Sequence, residues 1–239
     1  MACFTCGGPL GCESEPAAPG SAPVSVSPKE YVTLVETRNC WRIEDRVFDP
    51  DCMPCRACGL CMTRCLTTDL RSVVGQRTRA RVNAATKRLL SNLEVEMHPI
   101  GALTEEARAA IADPSVHKTV LGHWVPGAAY GTALVQIVDG AGVTWGWLVV
   151  DVTPEWLGGK SFWVTHNPRG VTVLEVVVAA TALAAARLER DMVYLSYFDP
   201  GNPRLAYKAR YGSALEMWCR HTKAWVPFVQ CPLTHDPCT

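Results

Sequence analysis

The sequence predicts an α+β fold with a small cysteine-rich module at its N-terminus. Three observations carry this. Strand-like and helix-like stretches follow one another in the order β-α-(α)-β-β-β-α-β-α-β from about residue 93 onward. A long Ala-rich stretch, Val173 to Asp191, is apolar on most sides, as a helix buried against a sheet must be. Of the 12 cysteines, nine fall within the first 65 residues: Cys3, Cys6, Cys12, Cys40, Cys52, Cys55, Cys58, Cys61 and Cys65. The other three, Cys219, Cys231 and Cys238, lie near the C-terminus. With 239 residues, 48% hydrophobic and 19% charged, the chain suits one large domain with an appendage and argues against disorder over most of its length.

Lys+Arg and Asp+Glu are both 23, so no global field draws the chain to nucleic acid or a membrane. Val176 to Ala186, the longest uncharged apolar run, has 11 residues and is too short to span a bilayer, so no membrane partner is expected. The start MACFTCGGPLGC has no basic segment before an apolar block, so an intracellular, cytoplasmic and reducing location is expected. In such a compartment clustered C-x-x-C pairs more often bind metal than form disulfides.

Residues 1–70 are read as the cysteine-rich module. Within it, 13–29 is a Pro-, Ala- and Ser-rich flexible linker, and 30–48 is read as a strand or hairpin from its β-branched and aromatic residues. The segment 52–65 holds the dense thiols. Cys55-Arg-Ala-Cys58-Gly-Leu-Cys61-Met-Thr-Arg-Cys65 resembles the bacterial ferredoxin spacing, with Leu66 where that motif has Pro. A [4Fe–4S] centre would take Cys55, Cys58, Cys61 and a remote thiolate such as Cys12 or Cys40. Zn2+ is the preferred alternative. The knuckles Cys52/Cys55 and Cys58/Cys61 are too close in sequence to close on one ion, so Cys3/Cys6 becomes the natural partner pair. The candidate ligands are therefore Cys3, Cys6, Cys52, Cys55, Cys58, Cys61 and Cys65. Asn39-Cys40-Trp41 resembles the Cys-Trp step of papain-like proteases, a lesser reading because Cys40 sits among candidate ligands.

Residues 71–92 form a basic connector, helical from about residue 78, with Arg71, Arg77, Arg79, Arg81, Lys87 and Arg88 and no acid among them. Such a run can contact phosphates, which makes nucleic acid a candidate partner through Arg71–Arg88. Residues 93–239 form the main domain. LEVEM is a strand; LTEEARAAIAD begins a helix with Thr104 as cap and Glu105/Glu106 in its first turn. TALVQIVDGAGVTWGWLVVDV is a hairpin about Asp139-Gly140. KSFWVTH is a strand, Val173 to Asp191 a helix, and MVYLSYF a strand. Asn202 to Tyr211 is a short helix closed by Gly212, and LEMWCRHTKAWVPFVQ supplies one or two last strands.

These stretches, over residues 93 to about 235, resemble the GNAT superfamily of N-acetyltransferases in element order. The resemblance implies a mixed, mostly antiparallel sheet flanked by helices, acetyl-CoA as cofactor, and acyl-CoA and an amine as substrates. It places the cofactor turn at His166-Asn167-Pro168-Arg169-Gly170-Val171-Thr172-Val173, where backbone N–H groups at a helix start would face the pyrophosphate. Arg169, Gly170, Thr172 and Asn202 are then the cofactor-binding candidates. Thr172 and Leu174 stand where the family has small residues. The family's catalytic Tyr position falls on Lys208, so Tyr207 beside it is the general-acid candidate. His166 is the general-base candidate, with Asp151 or Glu155 next in line. Two alternatives stand beside the N-acetyltransferase: a non-catalytic relative that binds nucleic acid or protein through the metal module and basic helix, and an iron–sulfur protein.

Overall fold

The computed structural model describes residues 28–37, 41–43, 46–48, 61–81, 92–99, 105, 131–164, 172–200, 203–219 and 222–230. The chain forms two compact units, one from Cys65 to Leu195 and one from Met1–Arg64 together with Ser196–Thr239. The expected helix from Thr104 lies outside the described residues, apart from Glu105, which is helical. Among the described residues no helix is long and apolar enough to cross a membrane.

The unit from Cys65 to Leu195 is built on a mixed sheet. Its strands are β4 (Glu94–Pro99), β5 (Gly131–Val138), β6 (Thr144–Val152), β7 (Trp156–Val164) and the first four residues of β8 (Met192–Phe198), in the order β8-β7-β6-β5-β4. β4, β5, β6 and β7 are an antiparallel meander, and β7 pairs with β8 in parallel. A parallel pair needs a crossover. It is supplied by helix α3 (Val173–Arg187), as the Ala-rich pattern predicts. Small side chains let α3 lie close on the sheet: Ala179, Ala180, Ala182, Ala184 and Ala185 are all buried.

The hairpin at Asp139 forms because one carboxylate organises the turn. Asp139 Oδ1 accepts from the N–H groups of Ala141 and Val143, each at 2.9 Å, and Oδ2 accepts from Trp145 Nε1 at 3.1 Å. The left-handed residue is Gly142, at φ 79°, rather than Gly140. The β6–β7 turn is set by Thr153, whose hydroxyl oxygen accepts from the N–H of Trp156 at 2.9 Å. Helix α2 (Thr67–Arg81) begins eleven residues before the expected start near 78. Its start is fixed by Thr67, which donates from N to Asp191 O at 2.9 Å and from Oγ1 to Arg190 O at 2.6 Å, and by the fully buried Leu70.

In the other unit, the strand or hairpin expected over 30–48 is found over 41–48 only, and a helix precedes it. The unit holds helix α1 (Pro28–Thr37) and then a two-stranded hairpin, β1 (Trp41–Ile43) with β2 (Arg46–Phe48). The β-branched residues misled: Tyr31, Val32 and Val35 are buried on one helical face, and Pro28 opens the helix where its missing N–H costs nothing. The dense thiol segment ends in a strand, β3 (Cys61–Leu66), whose first four residues belong here. β3, β9 (Glu216–Cys219) and β10 (Ala224–Pro227) are antiparallel neighbours in the order β10-β9-β3. Arg64 ties them: Nε lies 2.7 Å from Glu216 Oε2, and its guanidinium carbon 4.3 Å from the centroid of the Trp225 ring. Trp225 Nε1 in turn donates to Glu36 O in α1 at 2.9 Å.

The short helix α4 (Pro203–Ala206) runs into a 3-10 turn over Tyr207–Tyr211 and stops at Gly212, as expected. The reason is not a left-handed cap, since Gly212 has φ −52°. A Cβ there would stand 2.8 Å from Phe228 Cδ1, and the Phe228 ring is held edge-on to Phe198 at 4.9 Å.

Candidate functional site

The parallel pairing of β7 with β8 covers three residue pairs, Trp156↔Met192, Leu157↔Val193 and Gly158↔Tyr194. β7 continues to Val164. Within the unit from Cys65 to Leu195, residues 161–164 are paired to β6 and have no β8 partner among the described residues. A β-bulge marks the same place: Val149 faces Ser161 and Val150 faces Gly159, leaving Lys160 as the extra residue. Its Nζ lies 3.3 Å from Asp151 Oδ2, with the two side chains 5% and 1% exposed. Thr132 Oγ1 donates to Asp151 Oδ1 at 3.3 Å. Asp151 is thus tied into a buried ion pair, which makes it a poor proton acceptor. Glu155 is exposed.

At the start of α3, Thr172 is the N-cap. Its Oγ1 accepts from the Glu175 N–H at 3.3 Å, while Glu175 Oε2 accepts from the Thr172 N–H at 2.8 Å and from its hydroxyl at 3.1 Å. This reciprocal cap engages the Thr172 and Glu175 backbone donors and sets a carboxylate at the helix start, which disfavours an anion there. The remainder of the expected turn, 166–171, lies outside the described residues. Arg169, Gly170 and His166 lie outside the described residues, as does Asn202.

Tyr207 opens the 3-10 turn. Burial and the neighbouring Tyr211 push its phenol pKa well above the ordinary range, so it stays protonated at any working pH. Lys208, which replaces the expected Tyr, is 1% exposed and donates from Nζ to the Tyr197 carbonyl. Burial lowers its pKa to about 7. Neither this burial nor the Lys160–Asp151 pair was read from the sequence. A lysine flanked by apolar and aromatic residues, as in LAYKA, was the available signal.

Of the thiols, Cys3, Cys6, Cys52, Cys55 and Cys58 lie outside the described residues. Cys61 and Cys65 are both buried in β3. At ~3.3 Å per residue, four residues of strand separate their Cα atoms by about 13 Å. Two thiolates on one zinc ion lie within about 4.6 Å of each other. Cys61 and Cys65 therefore cannot share one ion while this strand is formed. Cys65 Sγ instead approaches Val193 O at 3.9 Å. Among the described residues no three His, Cys, Asp or Glu side chains gather as metal ligands. Of the basic run, Arg71 is exposed on α2, and Lys87 and Arg88 lie outside the described residues.

No family model matches the chain, and no curated protein matches it. Among the solved structures similar over part of it are two of note. One is a functionally unknown conserved protein from Staphylococcus epidermidis ATCC 12228, with TM-score 0.40 and 9% identity, covering 64% of this chain and 56% of that one. The other is a tandem GNAT protein from the clavulanic acid biosynthesis pathway, with TM-score 0.36 and 14% identity, covering 64% of this chain and 49% of that one. The chain spans about half the length of these solved chains.

Proposed function

We propose that the chain is a GNAT-like protein that transfers an acyl group from an activated donor to an amine. The observation that carries this reading is the early end of the parallel β7–β8 pairing, after which residues 161–164 of β7 have no β8 partner in their unit among the described residues. Open backbone N–H groups on a fixed strand can polarise an acyl carbonyl as it gains negative charge. The amine nitrogen attacks the carbonyl carbon and loses one proton. The bond to the leaving heteroatom breaks, and that atom takes the electron pair and a proton. The resemblance assigns the proton donor to Tyr207 and the acceptor to His166. The Tyr207 phenol, protonated far above neutrality, is in the form a donor requires.

Acetyl-CoA is the donor the resemblance implies, and the Thr172–Glu175 cap opposes it, so no step is routed through that cofactor. The same cap favours a second reading, in which the fold is non-catalytic and the cysteine-rich module and Arg71–Arg88 bind nucleic acid or a protein. The test is mass spectrometry of amine peptides incubated with the full chain and a panel of acyl donors: thioesters, acyl phosphates and acyl esters. A new amide that falls at least about 100-fold with Tyr207→Phe supports the first reading. No amide from any donor, with salt-dependent retention on immobilised nucleic acid, supports the second.

A further inference from the structure

Lys208 lies in the 3-10 turn after α4, in the unit formed by Met1–Arg64 and Ser196–Thr239. Its Nζ donates to the Tyr197 carbonyl near the end of β8 and stands 4.9 Å from the centroid of the Tyr207 ring. At 1% exposure, water has almost no access to it. The titratable groups on the elements it touches are Tyr194, Tyr197 and Asp199, in and just after β8, and Tyr207, Arg210 and Tyr211 in its own turn. Asp199 is buried and engaged by another group, and Arg210 is exposed. Among the described residues no carboxylate pairs with the Lys208 amine. A proton added there meets one carbonyl and an aromatic face but no opposite charge.

We propose that the Lys208 amine is a proton-operated latch that holds the 203–211 segment against the end of β8, closed while the amine is neutral and loosened when it is charged. The chemistry follows from what each form needs. A neutral amine satisfies itself with one donated bond to Tyr197 O. An ammonium carries three donors and a full charge, and burying it without a partner is costly. Opening hydrates the charge at once. The latch does not rest on the acyl-transfer reading, in which Lys208 takes no part, although its opening would move Tyr207 in the same turn.

The direction follows from linkage. Closed, the amine has a pKa of about 7; opened to water it returns to 10.5. The open form binds the proton more tightly, so the opening equilibrium grows as pH falls from 10.5 towards 7 and levels off below 7. With those two values the opening constant rises about fivefold from pH 8 to pH 7 and less than about twofold from pH 7 to pH 6.

Amide hydrogen exchange on the full chain reads this opening, once corrected for the intrinsic pH dependence of exchange. The reporters are the Gly212 and Ala214 amides, bonded to Ala209 O at 3.2 Å and Tyr211 O at 2.9 Å. Their protection should rise about fivefold from pH 7 to pH 8, and Lys208→Met should remove that rise. Protection that is flat with pH, or a rise that persists in Lys208→Met, overturns the latch. If that variant does not fold, side-chain NMR of Lys208 in the unaltered chain decides. A titration midpoint near 7 supports the latch, and one above 10 overturns it.

Discussion

Replacing Asp151 by Asn leaves the Lys160 ammonium in the β7 bulge without its partner. At 3.3 Å and an effective dielectric near 20, the pair's attraction is about 5 kcal/mol. In water that attraction would be about 1 kcal/mol, but side chains 5% and 1% exposed have little water around them. Desolvation of both ions offsets much of the gain, so the pair as a whole adds little beyond an apolar replacement. Removing one partner is different, because the other charge stays buried. Asp151→Asn is therefore expected to cost about 3–5 kcal/mol. Asp151→Asn combined with Lys160→Met should recover at least half of that loss. The assay is urea unfolding of the four proteins of the double-mutant cycle, followed by fluorescence of the tryptophans, with the slope checked for constancy. If Asp151→Asn costs under about 1 kcal/mol, or the two changes add without coupling, the pair is solvated and the reasoning fails.

Three other outcomes are expected. Gly212→Ala should lower stability by about 1–3 kcal/mol, measured by thermal unfolding, because the new methyl meets the Phe228 ring at 2.8 Å; an unchanged midpoint would show that the ring yields freely. Thr172→Ala should cost about 1 kcal/mol through loss of the α3 cap, and an effect below about 0.3 kcal/mol would mean the cap bonds are not formed in solution. Glu175→Gln removes the carboxylate from the α3 start. Calorimetry should find no acetyl-CoA binding at millimolar ligand for either protein, and heat from both would return the pyrophosphate to this junction.

Much of the fold could be read because single residues carry local instructions. Asp139 announces a hairpin through bonds its own carboxylate makes, and the Ala-rich run after Thr172 can only be a buried helix. The start of 30–48 was misread because residue type was taken for a structure it does not force. Val32, Thr33 and Val35 suit a strand, yet their spacing with Tyr31 also suits a helix face, and packing decided. Cys61-Met-Thr-Arg-Cys65 has ligand spacing, but a buried cysteine is also a small apolar side chain, and both thiols line a strand. The site was less legible. Lys208 and Lys160 are charges whose burial depends on Tyr197, on Asp151 and on a strand irregularity, none of which periodicity reveals. The Glu175 cap was readable in principle, since Thr-x-x-Glu before an apolar run is a capping box.

The central claim is that residues 161–164 of β7, which have no β8 partner in their unit among the described residues, offer a backbone edge to an acyl donor. Residue-resolved amide exchange over 161–164 measures it directly. Amides bonded to β6 should be protected, while alternate ones exchange close to the unfolded rate and slow only when an acyl donor binds. Uniform protection of all four amides in the ligand-free chain would mean that the edge is already paired, leaving the acyl-transfer reading without its site.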